Sequence, residues 1–109
     1  MSAYLFMRGV VRQGRLHEFV RGAKALREYR KGRAYCVPEV LYGLSGAMNT
    51  VLLRFAFPDL GRLEQEEREL EADPEHARIN NSLPWVEGSI GYEIYLDDRF
   101  GKPEIPEES

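Results

Sequence analysis

The residues best suited to chemistry in this chain are two histidines, His17 and His76, a glutamate-rich run from Glu64 to Glu71, and a cluster of amide and aromatic residues between Asn80 and Tyr92. An imidazole titrates near neutral pH, so either histidine could act as acid or base. His17 lies beside Leu16 in the first turn of an amphipathic pattern, where solvent contact is expected. His76 follows the helix start Asp73-Pro74-Glu75 and leads into the segment from Asn80 to Trp85. Segments that close a pocket commonly carry function, which makes His76 the candidate catalytic residue. Asn80, Trp85, Tyr92 and the edge-strand Tyr42 are candidate ligand-binding residues. The plainer alternative for Trp85 and Tyr92 is core packing. Two histidines so far apart have no metal-ligand spacing, and neither a metal nor a bound cofactor is expected. The glutamate run reads most simply as a solvated helix face with internal Glu–Arg pairing.

Those residues need elements to position them. Length and composition suit one globular domain: 109 residues, 43% hydrophobic and 30% charged. The expected domain is 1–100, followed by a Pro- and Glu-rich acidic tail over 101–109 expected to be disordered. The net charge of −3 offers no electrostatic reason for a nucleic-acid or anionic-membrane partner. Cys36 is the only cysteine, so an intrachain disulfide is excluded. It reads as a small buried filler, and a cytoplasmic location is expected. The apolar run Ala3 to Met7 is too short for a signal-peptide core or a membrane span.

The pattern along the chain predicts strand, helix, strand, strand, helix, strand. Tyr4 to Val11 is rich in aromatic and β-branched residues and predicts the first strand. From Arg15, apolar residues recur at helical spacing through Leu16, Phe19, Val20, Ala23 and Leu26, with Gly32 as a left-handed C-cap. Cys36 to Leu44 predicts a second strand, placed at a sheet edge by Pro38, and Gly43 to Asn49 a turn. Thr50 to Phe57 is the third strand. Asp59 caps a helix with Leu60, Leu63, Glu67 and Leu70 on one stripe. Asp73 and Pro74 start a short helix, and Ser89 to Leu96 is the fourth strand. Two right-handed crossovers of this type interleave as a ferredoxin-like α+β fold, antiparallel sheet order 4-1-3-2.

Alternation along the strands sorts the side chains onto two faces. Leu5, Met7, Gly9 and Val11, then Val51, Leu53, Phe55 and Phe57, then Ile90, Tyr92, Ile94 and Leu96 are assigned to the helices. The opposite face carries Tyr4, Phe6, Arg8, Leu52, Arg54, Glu93 and Tyr95, too apolar for a face left in water. A second copy of the chain is the expected cover, with Phe6, Arg8, Arg54, Glu93 and Tyr95 in a dimer interface and Glu93 as partner of Arg54.

Several short segments then carry a resemblance. They are Gln13-Gly14-Arg15-Leu16, Gly46-Ala47-Met48-Asn49-Thr50-Val51, Phe57 with Leu60 and Leu63, Ala72-Asp73-Pro74-Glu75, and Gly91-Tyr92-Glu93-Ile94-Tyr95. Together they resemble the NIPSNAP-like branch of the dimeric α+β barrel proteins, over nearly the whole domain. The resemblance implies two ferredoxin-like protomers whose sheets form a shared barrel with helices outside. It also implies a pocket between sheet and helices, on a fold that hosts cofactor-free monooxygenases, isomerases and cyclases. Two functions are expected on this basis. One is a homodimer that binds, and as an enzyme transforms, a small apolar or aromatic molecule without a bound cofactor. The other is a non-catalytic interaction or scaffold dimer whose acidic second helix meets a partner.

Overall fold

The structure, a computed structural model, describes residues 1–43, 48–98, 101 and 103–106. Its elements run β1 (Ala3–Val10), α1 (Leu16–Gly32), β2 (Glu39–Tyr42), β3 (Thr50–Phe57), α2 (Leu60–Glu71), α3 (Pro74–Asn81) and β4 (Gly91–Leu96). The four strands form one antiparallel sheet in the order β2-β3-β1-β4, the ferredoxin-like arrangement that the pattern predicts. Much of the turn expected after Gly43, and residues 99, 100, 102 and 107–109 near the C-terminus, lie outside the described residues.

Local chemistry sets the helix starts. The Asp59 carboxylate accepts from the Arg62 amide at 2.7 Å and so caps α2. Asp73 accepts from the amides of Glu75 and His76 at 3.0 and 3.3 Å, with Pro74 in the first turn, and caps α3. The end of α1 departs from expectation. The helix runs through Gly32 to an Arg33 cap, and the left-handed residue is Ala34, with φ 60°. The chain reverses two residues later than a Gly32 cap would place it, because the Tyr35 amide reaches back to the Arg30 carbonyl at 2.9 Å.

Strand β2 is shorter than expected. It lies at one edge of the sheet and begins after Pro38, whose carbonyl accepts from the Arg27 guanidinium at 3.1 Å. The fourth strand also begins late, because the Ser89 hydroxyl turns back to the Val86 carbonyl at 2.7 Å.

The core lies between the helices and the central strands. Leu5, Met7, Leu53 and Phe55 are buried from the sheet, facing Phe19, Ala23 and Leu26 of α1 and Leu63 of α2. At β4 the face is the one assigned, opposite the buried Ala3, Leu5 and Met7, but the helices do not cover it. Tyr92, Ile94 and Leu96, assigned to the helices, are all exposed. The helical layer packs over β1 and β3, and β4 is the edge strand beyond it.

On the opposite face Arg54 and Glu93 do not pair within the chain. Phe6 stands opposite Arg54 on one side and Glu93 on the other, so its ring separates them. Arg54 instead bonds Glu39 at 3.1 Å and covers the Tyr4 ring at 4.9 Å. Glu93 lies 3.7 Å from Arg8 and accepts from the Tyr95 hydroxyl. Phe6 and Tyr95 meet edge to face at 5.3 Å. Among the described residues, no helix is long and apolar enough to cross a membrane.

Candidate functional site

Helical spacing brings the polar groups of α1, α2 and α3 to one place. Leu26 and Arg30 lie one turn apart on α1, as do Glu67 and Glu71 on α2, and His76 and Asn80 on α3. All six line a cavity of about 230 Å³ between helices and sheet. Its floor is Leu5, Met7, Leu53 and Phe55, and Tyr92 of β4 stands at the rim, 62% exposed.

Arg30 is the organising residue. Its side chain is 4% exposed and pairs with the equally buried Glu66 at 2.9 Å. Its Nε donates to the Cys36 carbonyl at 2.5 Å, and its guanidinium lies over the Phe55 ring at 4.8 Å. Glu66 also accepts from the Cys36 amide at 2.8 Å. Both charges are thus hydrogen-bonded as well as paired, which is the condition for holding ions out of water. Burial pushes the guanidinium pKa down while the Glu66 charge pulls it back up.

The third hydrogen-bond partner of Arg30 is His76 Nε2, 3.2 Å from Nη1. A guanidinium can only donate, so Nε2 accepts and the neutral ring carries its hydrogen on Nδ1. Burial, then the charge of Arg30, lowers the His76 pKa below the ordinary histidine value. His76 is therefore neutral at pH 7 with its basic nitrogen occupied, and Nδ1–H remains as a donor.

Glu67 is different in kind from Glu66. It lines the cavity, and burial raises its carboxyl pKa, opposed by the Arg30 charge. Burial and the nearby Glu67 charge raise the Tyr92 hydroxyl in turn.

The structure brings together His76, Asn80 and Tyr92 of the residues singled out from sequence. Trp85 is elsewhere: 8% exposed, edge to face with Phe19 at 4.8 Å, and pressed against Gly9. Its core alternative holds, and its buried Nε1 has no hydrogen-bond partner among the described residues. Tyr42 lies on β2, exposed and away from the cavity. His17 is exposed, as expected. Cys36 is half-buried, its thiol directed to the Ala56 carbonyl at 3.2 Å. Sequence reasoning missed Arg30, Glu66 and Glu71. For Arg30 the signal was present: it continues the buried row Phe19, Ala23, Leu26 by one more turn. Among the described residues, no group of three or more His, Cys, Asp or Glu could hold a metal ion.

A second concavity, of about 440 Å³, lies on the outer sheet face between Tyr4, Phe6, Arg54, Glu93, Tyr95 and Pro103.

No family model matches this chain, and no curated protein sequence does. Solved structures do. A NIPSNAP domain protein from Burkholderia xenovorans superposes with a TM-score of 0.74 at 16% identity, covering 93% of this chain and 99% of the other. A NIPSNAP family protein from Agrobacterium tumefaciens gives 0.72 at 13% identity, covering 92% and 96%. A candidate antibiotic biosynthesis monooxygenase from Nitrosomonas europaea gives 0.69 at 10% identity, covering 94% of each chain. The chain thus has the fold of NIPSNAP family proteins, a ferredoxin-like α+β sheet shared with proteins of the antibiotic-monooxygenase type, and it has that fold over nearly its whole length.

Proposed function

We propose that the protein binds a small apolar or aromatic molecule in the cavity between its helices and its sheet, with no bound cofactor, and acts on it by oxygenase, isomerase or cyclase type chemistry. One observation carries this reading: an apolar floor of four core side chains beneath convergent polar groups from three separate helices. A solid core needs none of those groups, and a buried Arg–Glu pair costs more to build than apolar packing of the same volume. The volume is below the ~300–1,000 Å³ of drug-sized sites, which suits a ligand of one or two rings. His76 serves as a hydrogen-bond donor to the ligand through Nδ1–H, with Asn80 and Tyr92 orienting it. The shared fold with the Nitrosomonas europaea protein supports the chemistry only as an analogy.

The same proposal includes a homodimer. Phe6, Tyr95, Tyr4 and Leu52 make a continuous apolar patch on the sheet face, rimmed by Arg8, Arg54 and Glu93. A second copy would cover it, as the shared-barrel arrangement implies. Light scattering at micromolar concentration gives a dimer mass on this account, and a persistent monomer removes that part of it.

The ligand reading is tested by screening one- and two-ring aromatic fragments by ligand-observed NMR against the wild type and Ala77→Trp. Ala77 lines the cavity, and an indole there fills it. Binding to the wild type that is lost in a folded Ala77→Trp supports the reading. Binding that survives the substitution, or no binding at all, contradicts it.

A further inference from the structure

The charge inventory of the cavity says what kind of ligand it accepts. Arg30 is the cation on its wall, and three of its N–H groups are already engaged. The Nε side of its fork is taken by the Cys36 carbonyl, Nη2 by Glu66 and Nη1 by His76, while its face lies against Phe55. The Glu66 charge beside it offsets part of its own. Two further carboxylates, Glu67 and Glu71, then face the cavity without a matching cation among the residues that line it. Of the two, Glu67 stands on the inward stripe of α2 between the buried Leu63 and Leu70, while Glu71 is the last residue of the helix. His76, occupied at Nε2, offers a hydrogen rather than a lone pair.

We infer that Glu67 is the specificity-determining residue of this cavity, accepting a hydrogen bond from an uncharged O–H or N–H on the ligand and excluding ligands that carry a negative charge. The inference rests on the ligand-cavity reading above and adds the chemical class. The geometry fits a flat apolar body over Leu5, Met7, Leu53 and Phe55, with one donor group turned toward α2. An anion in the same place meets Glu67 and Glu71, and the one cation on the cavity wall is already paired with Glu66, so like-charge contact disfavours it.

The experiment compares two probes of the same ring system, 1-naphthol and 1-naphthoate, by isothermal titration calorimetry at pH 7. Wild-type protein is expected to prefer 1-naphthol by about tenfold or more, the size of effect that like-charge contact produces. Glu67→Gln, which keeps the shape and removes the charge, is expected to tighten 1-naphthoate and narrow the ratio, while Glu64→Gln on the exposed face of α2 leaves it unchanged. The wild-type ratio is itself a test and needs no variant to fold. Equal or reversed preference in the wild type overturns the assignment of Glu67 and leaves the cavity reading standing. A ratio unchanged in folded Glu67→Gln overturns it in the same way. Failure of both probes to bind the wild type overturns the cavity reading and this inference with it.

Discussion

Arg30 of α1 and Glu66 of α2 meet at 2.9 Å, with 4% and 2% of their side chains exposed, and this pair ties the two long helices together above the sheet. Neither charge has water to fall back on. Removing one partner leaves the other buried and alone, which typically costs ~3–5 kcal/mol. Glu66→Ala is therefore expected to lower stability by about that much, measured by urea unfolding. Glu64→Ala and Glu69→Ala, on the solvated side of the same helix, should stay within ~0.5 kcal/mol of wild type. The double substitution Arg30→Met with Glu66→Leu should recover most of the loss, since apolar replacement of a buried pair is often neutral or stabilising. Equal effects at Glu64 and Glu66 would contradict the pairing.

This pair also marks the limit of what the sequence disclosed. Strand alternation and helical spacing were enough for the element order and the sheet order, because burial on one face imposes a period that survives in any single sequence. The same rule gave the face at β4 but not its burial. Alternation assigns Tyr92, Ile94 and Leu96 to one face, but whether a helix reaches that face depends on how far the helical layer extends. Within α2, Glu66 and Glu67 are neighbours of the same type, and composition makes both look solvated. Only tertiary packing separates them, into one carboxylate locked on Arg30 and one facing the cavity. His76 and Asn80 of α3 and Tyr92 of β4 were legible because polar and aromatic residues are conspicuous along that stretch of the sequence. Trp85 was equally conspicuous and is core, since its ring fills the space that Gly9 leaves against β1.

The neutral state of His76 has a consequence for stability against pH. Its pKa in the fold lies below the ordinary value of 6.5, so the unfolded chain binds the proton more readily. The stability it contributes is complete above about 6.5 and is lost as pH falls through the folded value. His76→Gln keeps an acceptor for Arg30 and does not titrate. The difference in unfolding free energy between wild type and His76→Gln should thus be flat above pH 6.5 and shift against the wild type below it. Thermal melts of both proteins over the acid range read this directly, and parallel curves would show that His76 does not face Arg30.

Two glycines test the packing of the core. A Cβ on Gly9 would lie 2.6 Å from Cε3 and 2.7 Å from Cζ3 of the buried Trp85 ring, whose flat body cannot yield locally. Gly9→Ala should cost ~1–3 kcal/mol as an overpacking change. A Cβ on Gly22 meets only the far end of the Leu83 side chain, at 2.6 Å. There the helical gain of alanine over glycine, ~1 kcal/mol, offsets the contact. Denaturation midpoints should place Gly9→Ala clearly below Gly22→Ala, and the reverse order would contradict the position of Trp85.

Ala34 sits at φ 60°, a conformation in which a Cβ is strained by ~1–2 kcal/mol. Ala34→Gly relieves that strain at the cost of a more flexible unfolded chain. A net gain of up to ~1 kcal/mol is expected, read as a rise in melting temperature. A loss would mean that the turn after α1 takes another form.

The central claim is that the space between helices and sheet is the binding site. The most direct measurement is amide chemical-shift mapping of ¹⁵N-labelled protein titrated with 1-naphthol. The account predicts saturable shifts at Arg30, Glu67, His76, Asn80 and Tyr92, residues that share a wall in the fold but lie on four different elements. Shifts confined to Phe6, Arg54 and Tyr95 would place the ligand on the outer sheet face instead and contradict the account.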